Sequence, residues 1–398
     1  MQYTIKTATD PQVYLGQKQQ RIVHWMKNAA FFCMIASMVL SVYAFRTDIV
    51  EAYTAFKTSL QVDSIDETTA DASIIYFEPD STNLFGLFKS NLAVLNRGTY
   101  KLYSPDGSEL FAIQLGYASP GLSISDNFVV AFDRGNRAFS VYEQRSLVNS
   151  MEAEGTIISL SQNKDGFIAV VHNDETYRGA VSVYDNYQNL VYQWKTSDYY
   201  LLRAAVSPDG RHLAAVALTQ DDGIYRSKIV IFRLDEEQRH AEYDLESTVV
   251  ADMHFMDTNS ICLIGDEQSV VLDMDGNVLA DYLYGSDSLK TCAKGNGFVV
   301  LATVDASSGL GSKLVKLSAS GIATYETEDE VRKVSASGDY VGVLYTSSVQ
   351  MLSGTMQELT RPVEVYQVRD ILTNGDGKLM LIYSAEAGFV DVLTPFLG

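Results

Sequence analysis

The sequence is poor in proline and tryptophan, with seven and two residues respectively among 398. This scarcity argues against a low-complexity or linker-rich chain. Positive charge is also scarce, because 30 Lys and Arg stand against 50 Asp and Glu, and the formal net charge is −20. A strongly acidic surface repels phosphate backbones, so nucleic acid is not expected as a partner. The 24 Tyr and 17 Phe, in a chain that is 46% hydrophobic, favour a folded protein rich in β-strands.

Sequence motifs for catalysis and metal binding are missing as well. No nucleophile elbow, Walker loop or dinucleotide fingerprint occurs. The histidines fall at no metal-ligand spacing; they are His24, His172, His212, His240 and His254. His212 directly follows a turn, where a solvated side chain is expected. We therefore predict no catalytic residue, no cofactor site and no metal site, and we do not expect an enzyme.

One acidic segment superficially resembles a calcium-binding loop. In residues 273–277, DMDGN, the glycine is the fourth residue instead of the sixth, and no glutamate follows at the twelfth position. A β-turn between two strands explains this segment better. Residues 173–175 and 221–223 are likewise predicted to be solvated acidic loop tips.

A single long hydrophobic run, residues 29–45, carries no charge. As a helix it would be about 26 Å long, which is enough to cross a bilayer. Residues 1–28 before it form a short basic tail with one acid, Asp10, and four bases: Lys6, Lys18, Arg21 and Lys27. Positive flanks remain in the cytoplasm, so the sequence predicts a single-pass membrane protein with its N-terminus cytoplasmic and the remainder extracellular. Residues 46–72 are polar and acidic, as in a juxtamembrane stalk.

A cleaved signal peptide is the alternative to this anchor, because residues 42–44, VYA, loosely fit a cleavage site. Against it, 28 residues precede the apolar core, which is long for a signal peptide. We therefore predict an uncleaved anchor. A lipoprotein anchor at Cys33 is not expected, because Phe31 and Phe32 precede it where small residues are usual.

Beyond residue 72 a repeat of about 41 residues organises the chain. In each repeat a small polar turn separates two short apolar strands, and a period near 40 with several strands per repeat is typical of a β-propeller. The eight turns are Ser90-Asn91, Asp126-Asn127, Asp165-Gly166, Asp209-Gly210, Thr258-Asn259, Asn296-Gly297, Ser337-Gly338 and Asp376-Gly377.

The strand count predicts how the ring closes. The first repeat supplies four strands between residues 85 and 116, and the seventh ends with a predicted strand at 358–365, ELTRPVEV. The eighth repeat, from Val368, supplies only three, whereas residues 73–78 form a surplus strand. Pairing this strand with the last three would complete the final blade and leave no free sheet edge. We predict an all-β, eight-bladed propeller over residues 73–398; a seven-bladed ring, with one repeat absorbed as an insertion, is the alternative.

Two turns have the sequence Ser-Pro-Asp-Gly, at residues 104–107 and 207–210. Pro fixes φ near −65° and Gly accepts a positive φ, so both favour tight turns. These repeats resemble propellers of the TolB and YVTN kind and, more distantly, WD40 repeats, although Gly-His and Trp-Asp pairs are missing. The tail, span, stalk and propeller together resemble a membrane-anchored family of unknown function from Gram-positive anaerobes. That resemblance implies a location at the cell envelope and no particular activity.

Two cysteines fall in adjacent predicted blades. Cys262 belongs to the second strand of blade 5 and Cys292 to the innermost strand of blade 6. A disulfide requires Cα atoms within about 7 Å, which a strand pattern does not establish. Because cysteine is among the most frequently buried residues, we predict free thiols.

Three classes of function are compatible with such a chain. The preferred one is a binding or scaffolding module at the cell envelope, with a protein or cell-wall partner on a propeller face. A propeller enzyme is the second, although eight-bladed quinone-dependent dehydrogenases use a Trp motif in most blades and the repeats here contain only Trp194. The third is a sensor that signals through residues 1–27.

Overall fold

The computed structural model describes residues 74–393, except 222, 306 and 308–311. The predicted tail, membrane span and stalk, residues 1–72, lie outside this range, as do Cys33 and His24. No helix among the described residues is long and apolar enough to cross a membrane.

The described residues form 32 strands in eight four-stranded antiparallel sheets. A two-residue strand, β1 (Ile75–Tyr76), precedes the first complete blade. Blades 1 to 3 then follow as β2 Leu84–Phe88, β3 Asn91–Leu95, β4 Thr99–Tyr103, β5 Glu109–Gln114; β6 Pro120–Ile124, β7 Val129–Asp133, β8 Ala138–Glu143, β9 Ser146–Glu152; β10 Ile157–Gln162, β11 Ile168–His172, β12 Gly179–Tyr184, β13 Leu190–Thr196.

Blades 4 to 8 continue the same pattern. Their strands are β14 Tyr200–Val206, β15 His212–Asp221, β16 Ile224–Arg233, β17 Arg239–Leu245; β18 Val250–Phe255, β19 Ser260–Gly265, β20 Gln268–Asp273, β21 Val278–Leu283; β22 Asp287–Lys294, β23 Phe298–Asp305, β24 Ser312–Ser318, β25 Gly321–Thr327; β26 Val331–Ser337, β27 Tyr340–Tyr345, β28 Ser348–Ser353, β29 Val363–Glu364; β30 Asp370–Thr373, β31 Leu379–Ile382 and β32 Glu386–Val390.

The last blade is closed by the N-terminal strand, as the strand count predicted. The sheet order is β1-β32-β31-β30, with Ile75 opposite Ala387 and Tyr76 opposite Glu386. The Phe77 amide continues this pairing by donating to the Ala385 carbonyl at 3.0 Å. With eight complete sheets in the described part of the chain, the eight-bladed prediction is confirmed and the seven-bladed alternative is wrong.

The hydrophobic core consists of eight clusters, each between two neighbouring blades. Strand β15 shows how one strand serves two clusters: Leu213 and Ala215 pack towards blade 3, whereas Ala214 and Val216 pack towards blade 5. Successive side chains on a strand point to opposite faces, so a strand buried on both faces is continuously apolar. The cluster between blades 8 and 1 includes Ile75 and closes the ring.

All eight predicted turns lie between the first and second strands of a blade, and therefore on one face of the ring. We call this the turn face; it also carries the loops between third and fourth strands. The opposite face, which carries the loops between second and third strands and between blades, is called the hairpin face. In the two Ser-Pro-Asp-Gly turns, Gly107 and Gly210 have φ of +88° and +70°. This positive φ is what the turn chemistry predicted.

The fourth strand of blade 7 differs from its prediction. Only Val363–Glu364 of the expected 358–365 is a strand. Pro362 has no amide hydrogen to donate and limits the pairing there. Thr360 provides hydrogen-bond acceptors for the neighbouring strand β28 instead. Its hydroxyl accepts from the Met351 amide at 2.9 Å, and its carbonyl accepts from Gln350 Nε2 at 2.9 Å.

Candidate functional site

The described histidines do not converge on a common site. His172 is fully buried, with Nε2 2.9 Å from Ser182 Oγ and Nδ1 3.0 Å from the Asn173 carbonyl, so it is a satisfied core residue. His254 Nε2 lies 3.5 Å from a carboxylate oxygen of Asp252 on the first strand of blade 5. Within residues 74–393, gaps aside, no three His, Cys, Asp or Glu side chains are grouped to hold a metal ion.

The prediction of a solvated His212 is wrong. The side chain is half-buried in a cleft that residues of blade 3, including Phe167 and Tyr187, also line. Loop residues of the preceding blade therefore lie beside a side chain that the local sequence places next to an open turn. Burial lowers the pKa of His212, and its Nδ1 has no hydrogen-bond partner among the described residues. The His240 ring lies 6.0 Å away, centroid to centroid.

The acidic segment at 273–277 is a turn, as predicted. Asp273 Oδ1 accepts hydrogen bonds from the Asp275 amide at 3.0 Å and the Asn277 amide at 2.8 Å. Its second oxygen accepts from Asn277 Nδ2 at 2.9 Å. These bonds occupy the carboxylate within the turn between β20 and β21 and lower the pKa of Asp273 against the opposing effect of burial.

The two cysteines are free, which confirms the prediction of free thiols. They belong to the same hydrophobic cluster between blades 5 and 6, where Cys262 is fully buried and Cys292 is partly buried. Burial raises the pKa of Cys292 to about 11, and it raises the pKa of Cys262 further. A thiol is nucleophilic as the thiolate, so both groups are chemically quiet.

The most prominent surface feature is the β15–β16 hairpin of blade 4. Tyr200, Leu218, Ser227 and Leu245 form one row across the blade, at which the outer and inner strands end. The hairpin continues for three more residue pairs beyond this row, up to Asp221 opposite Ile224. At about 3.4 Å per residue it extends roughly 10 Å above the rest of the blade on the hairpin face.

The hairpin and its surroundings expose large side chains. Ile224 and Tyr225 are 56% and 54% exposed, and Tyr200 at the start of the inner strand is 57% exposed. Because alternate residues share a face, Tyr225 lies on the same side of the sheet as Tyr200, and Ile224 lies on the other. The Arg178 guanidinium of blade 3 lies 5.6 Å from the Tyr200 ring centroid, beside the exposed Tyr177. We call these five residues the aromatic patch.

Sequence reasoning missed this patch, although a signal was present. Residues 221–223 were predicted only as an acidic loop tip, and Gly223 does occupy the turn with φ of +82°. The apolar pair Ile224-Tyr225 directly after that tip is unusual for a solvated loop. This pair projects from the surface because the hairpin is longer than the other two strands of the blade. That extra length is evident only from the pairing of the four strands.

The first strands line a polar channel along the propeller axis. Arg203 of blade 4 donates to the Ala251 carbonyl at 3.1 Å and lies 3.9 Å from Asp252 of blade 5. Lys290 forms an ion pair with Glu330, and Arg332 donates to the Val368 carbonyl at 3.0 Å. Neighbouring blades are thus joined around the axis by charged hydrogen bonds as well as by apolar packing.

The ring of eight four-stranded sheets, closed by a strand from the other end of the chain, defines an eight-bladed β-propeller. Residues 68–389 match the family of unknown function DUF5711, and the chain belongs to that family. This agrees with the resemblance to a family of unknown function noted in the sequence. No curated protein matches the sequence.

The chain aligns with several solved structures. The β-propeller domain of Cps50 (Swd1) from Myceliophteria thermophila is 7% identical, with a TM-score of 0.49, over 69% of this chain and 97% of that chain. A chain of the mitotic checkpoint complex is 13% identical, with a TM-score of 0.47, over 83% and 98%. The C-terminal WD40 domain of Sif2 is 11% identical, with a TM-score of 0.40, over 69% and 95%.

Proposed function

We propose that this propeller is a binding module, and not a catalyst, which holds a protein partner on its hairpin face. The observation that carries the proposal is the β15–β16 hairpin, which projects beyond its blade with Ile224 and Tyr225 exposed near its tip. Exposed apolar side chains on a projecting element cost solubility unless a partner covers them.

The composition of the aromatic patch supports a protein partner. Tyrosine and arginine are enriched at the centres of protein interfaces, where they supply rigid contact area and directional hydrogen bonds. Tyr177, Tyr200, Tyr225 and Arg178 bring both residue types together on one face. The chain has a net charge of −20, which attracts a positively charged protein surface during encounter. The proposed partner is therefore a basic protein surface with an apolar anchor that packs on the patch.

The test compares capture of binding partners by the full-length chain and by matched variants. Ile224→Ser with Tyr225→Ser removes the projecting contacts without touching the core. Ile322→Ser is the control, because Ile322 is 44% exposed near the start of the outer strand β25 of blade 6, next to a loop of the turn face. A protein partner captured in stoichiometric amount should bind the wild type and the control and be lost with the hairpin variant.

Two further properties of the captured protein decide the outcome. Binding should weaken as salt is raised, because the encounter is driven by opposite charges. The interacting surface should also be basic. Equal capture by the hairpin variant, or capture of an acidic partner without salt dependence, would refute the proposal.

We further propose that residues 29–45 anchor the protein in a membrane with the propeller extracytoplasmic. The support is the charge-free run itself and its positive N-terminal flank. In cells, the full-length chain should resist extraction from membranes by alkaline carbonate, and external protease should digest the propeller of intact cells. A variant that lacks residues 1–45 should lose membrane attachment. Full extraction of the intact chain by carbonate would contradict the anchor.

A further inference from the structure

On the turn face, a cavity at the mouth of the central channel collects positive charge. Its volume is about 620 Å³, and it is lined by residues at the ends of the first strands of blades 1, 2, 3 and 6. Lys89, Lys164 and Lys294 contribute their side chains to it, and Asp126 is the one acid among the lining residues. The lining therefore has a net charge of +2 within a protein whose net charge is −20.

These three lysines differ from most others in the described part of the chain. Lys101, Lys195 and Lys228 each form ion pairs with two carboxylates, and Lys290 and Lys313 with one. Lys89, Lys164 and Lys294 form no ion pair with any described carboxylate, and all three are exposed to solvent in the cavity. In an acidic protein, unpaired ammonium groups in one concave site focus the local field on an incoming anion.

Three other polar side chains of the cavity each donate a hydrogen bond within the protein, although Gln162 Oε1 has no partner among the described residues. Gln162 Nε2 donates to the Ser123 carbonyl at 2.7 Å, and Asn163 Nδ2 donates to the Ser207 carbonyl at 2.8 Å. Ser125 Oγ donates to the Phe128 carbonyl at 3.1 Å. Each of these amide nitrogens keeps a second N–H group, whereas the three ammonium groups are the charged donors that line the cavity.

The ring geometry brings these charges together from distant repeats. In an eight-bladed ring, blade 6 lies opposite blade 2, so Lys294 and Asp126 face each other across the channel. The surrounding protein lowers the pKa of Lys294, and the charge of Asp126 partly opposes this effect. An anion beside Lys294 would favour the charged form of the amine.

A second cavity adjoins the first and provides room for the remainder of a ligand. Its volume is about 390 Å³, and it shares Gln162, Asn163, Lys164 and Lys294 with the basic cavity. Its other walls include the apolar residues Val206 and Pro208. Both volumes lie within the range of small-molecule sites, about 300 to 1,000 Å³.

We propose that the channel mouth binds a small organic phosphate monoester, with the phosphate between Lys89, Lys164 and Lys294 and the organic group in the adjoining cavity. A phosphate monoester carries a charge between about −1.5 and −2 at pH 7, which matches the net charge of the site. A carboxylate or a sulfate ester supplies only one negative charge. This proposal concerns the turn face and does not depend on the partner proposed for the hairpin face.

The test is isothermal titration of the purified full-length chain with glycerol 3-phosphate at constant ionic strength, with glycerol and methyl sulfate as comparison ligands. We expect saturable binding of one glycerol 3-phosphate per chain, no binding of glycerol, and methyl sulfate at least about tenfold weaker. Lys294→Gln should weaken glycerol 3-phosphate binding by about tenfold or more, because a charge-assisted hydrogen bond is lost. Lys378→Gln is the matched control, since Lys378 is also exposed next to a turn of the same face but lies outside both cavities.

Thermal melting of each variant without ligand will establish that it is folded, and Lys164→Gln provides a second variant on a solvent-exposed turn. Several results would overturn the proposal. These are absence of saturable binding by the wild type at millimolar ligand, equal losses with Lys294→Gln and Lys378→Gln, and equal affinity for methyl sulfate. Binding of a glutamate-rich peptide without binding of glycerol 3-phosphate would also overturn it and assign the site to acidic protein segments.

Discussion

Two buried tyrosines in the cluster between blades 1 and 2 have hydroxyls that find no partner. The rings of Tyr100 and Tyr142 lie 4.7 Å apart, and neither hydroxyl has a hydrogen bond within the described residues. Burial raises the pKa of Tyr142 to about 12 and that of Tyr100 further. Tyr345 is buried as well, but its hydroxyl donates to Gln350 Oε1 at 2.8 Å. The rings therefore contribute packing in each case, whereas only the Tyr345 hydroxyl contributes a bond.

This contrast predicts opposite effects of the same substitution. Tyr100→Phe removes an unsatisfied buried hydroxyl and should raise the free energy of unfolding by about 1 kcal/mol. Tyr345→Phe leaves Gln350 Oε1 with only the longer 3.5 Å hydrogen bond from Tyr325 and should lower the free energy of unfolding by about 1 kcal/mol. Urea denaturation of the two variants and the wild type measures both changes. A loss of stability with Tyr100→Phe equal to that with Tyr345→Phe would show that the Tyr100 hydroxyl has a partner.

His212 predicts a dependence of stability on pH. Burial lowers its pKa below the ordinary value of 6.5; among its charged neighbours, Asp209 and Asp235 oppose the shift, whereas His240 and Arg233 add to it. The unfolded chain therefore binds a proton near pH 6.5 while the folded chain still does not. The free energy of unfolding must fall as the pH falls through 6.5 towards the folded pKa.

Replacing this histidine should remove part of that dependence. The decrease in melting temperature between about pH 7.5 and 5.5 should be smaller in His212→Gln than in the wild type. His254→Gln is a useful control, because His254 lies beside Asp252 in blade 5, outside the cleft that holds His212. If both variants retain the full wild-type decrease, His212 does not carry the effect.

At the scale of a secondary-structure element, the closing strand β1 has two faces with different predicted roles. Ile75 is fully buried between blades 8 and 1, whereas Tyr76, the next residue, is 66% exposed. Ile75→Ala leaves a cavity at the point where the ring closes and should lower the free energy of unfolding by about 2 to 5 kcal/mol. Denaturant titration of the full-length chain measures this loss.

The neighbouring position provides the control within the same strand. Tyr76→Ala should change the free energy of unfolding by only about 0.5 kcal/mol or less, because the side chain projects into solvent. Deletion of residues 74–78 should be more damaging than either substitution, since it also exposes the edge of β32. A deletion variant that melts like the wild type would mean that β1 does not close the ring in solution.

At the scale of the whole molecule, the net charge of −20 should oppose compaction through self-repulsion. Most ion pairs in the described chain are between partly exposed side chains and contribute little each, for example Arg233 with Asp235 at 3.2 Å. Raising NaCl from about 0.01 to 0.2 M shortens the screening length and should therefore raise the melting temperature. Calorimetry of the full-length chain tests this, and a fall with added salt would show that attractive pairs outweigh the net repulsion.

The fold of this protein follows largely from local sequence. Each repeat contains its own strands and its own turn, and a turn such as Ser207–Gly210 depends on the φ preferences of a few consecutive residues. The surplus strand at residue 75 and the deficit after residue 368 were evident in the order of apolar segments. Blade 7 departed from the pattern, because Pro362 interrupts the predicted outer strand. Blade 4 departed as well, because its second and third strands extend to the loop tip predicted at 221–223.

The candidate sites, by contrast, depend on where the blades bring residues together. The half-burial of His212 arises from a loop of blade 3, and the projection of Ile224 and Tyr225 is measured against the ends of strands that are distant in sequence. The basic cavity unites Lys89 of blade 1 with Lys294 of blade 6 across the axis. The sequence by itself determined the repeat, the turns and the closing strand, because these are set by neighbouring residues. The tertiary structure alone decided which charges and apolar side chains share a surface, because that depends on the packing of eight blades around a common channel.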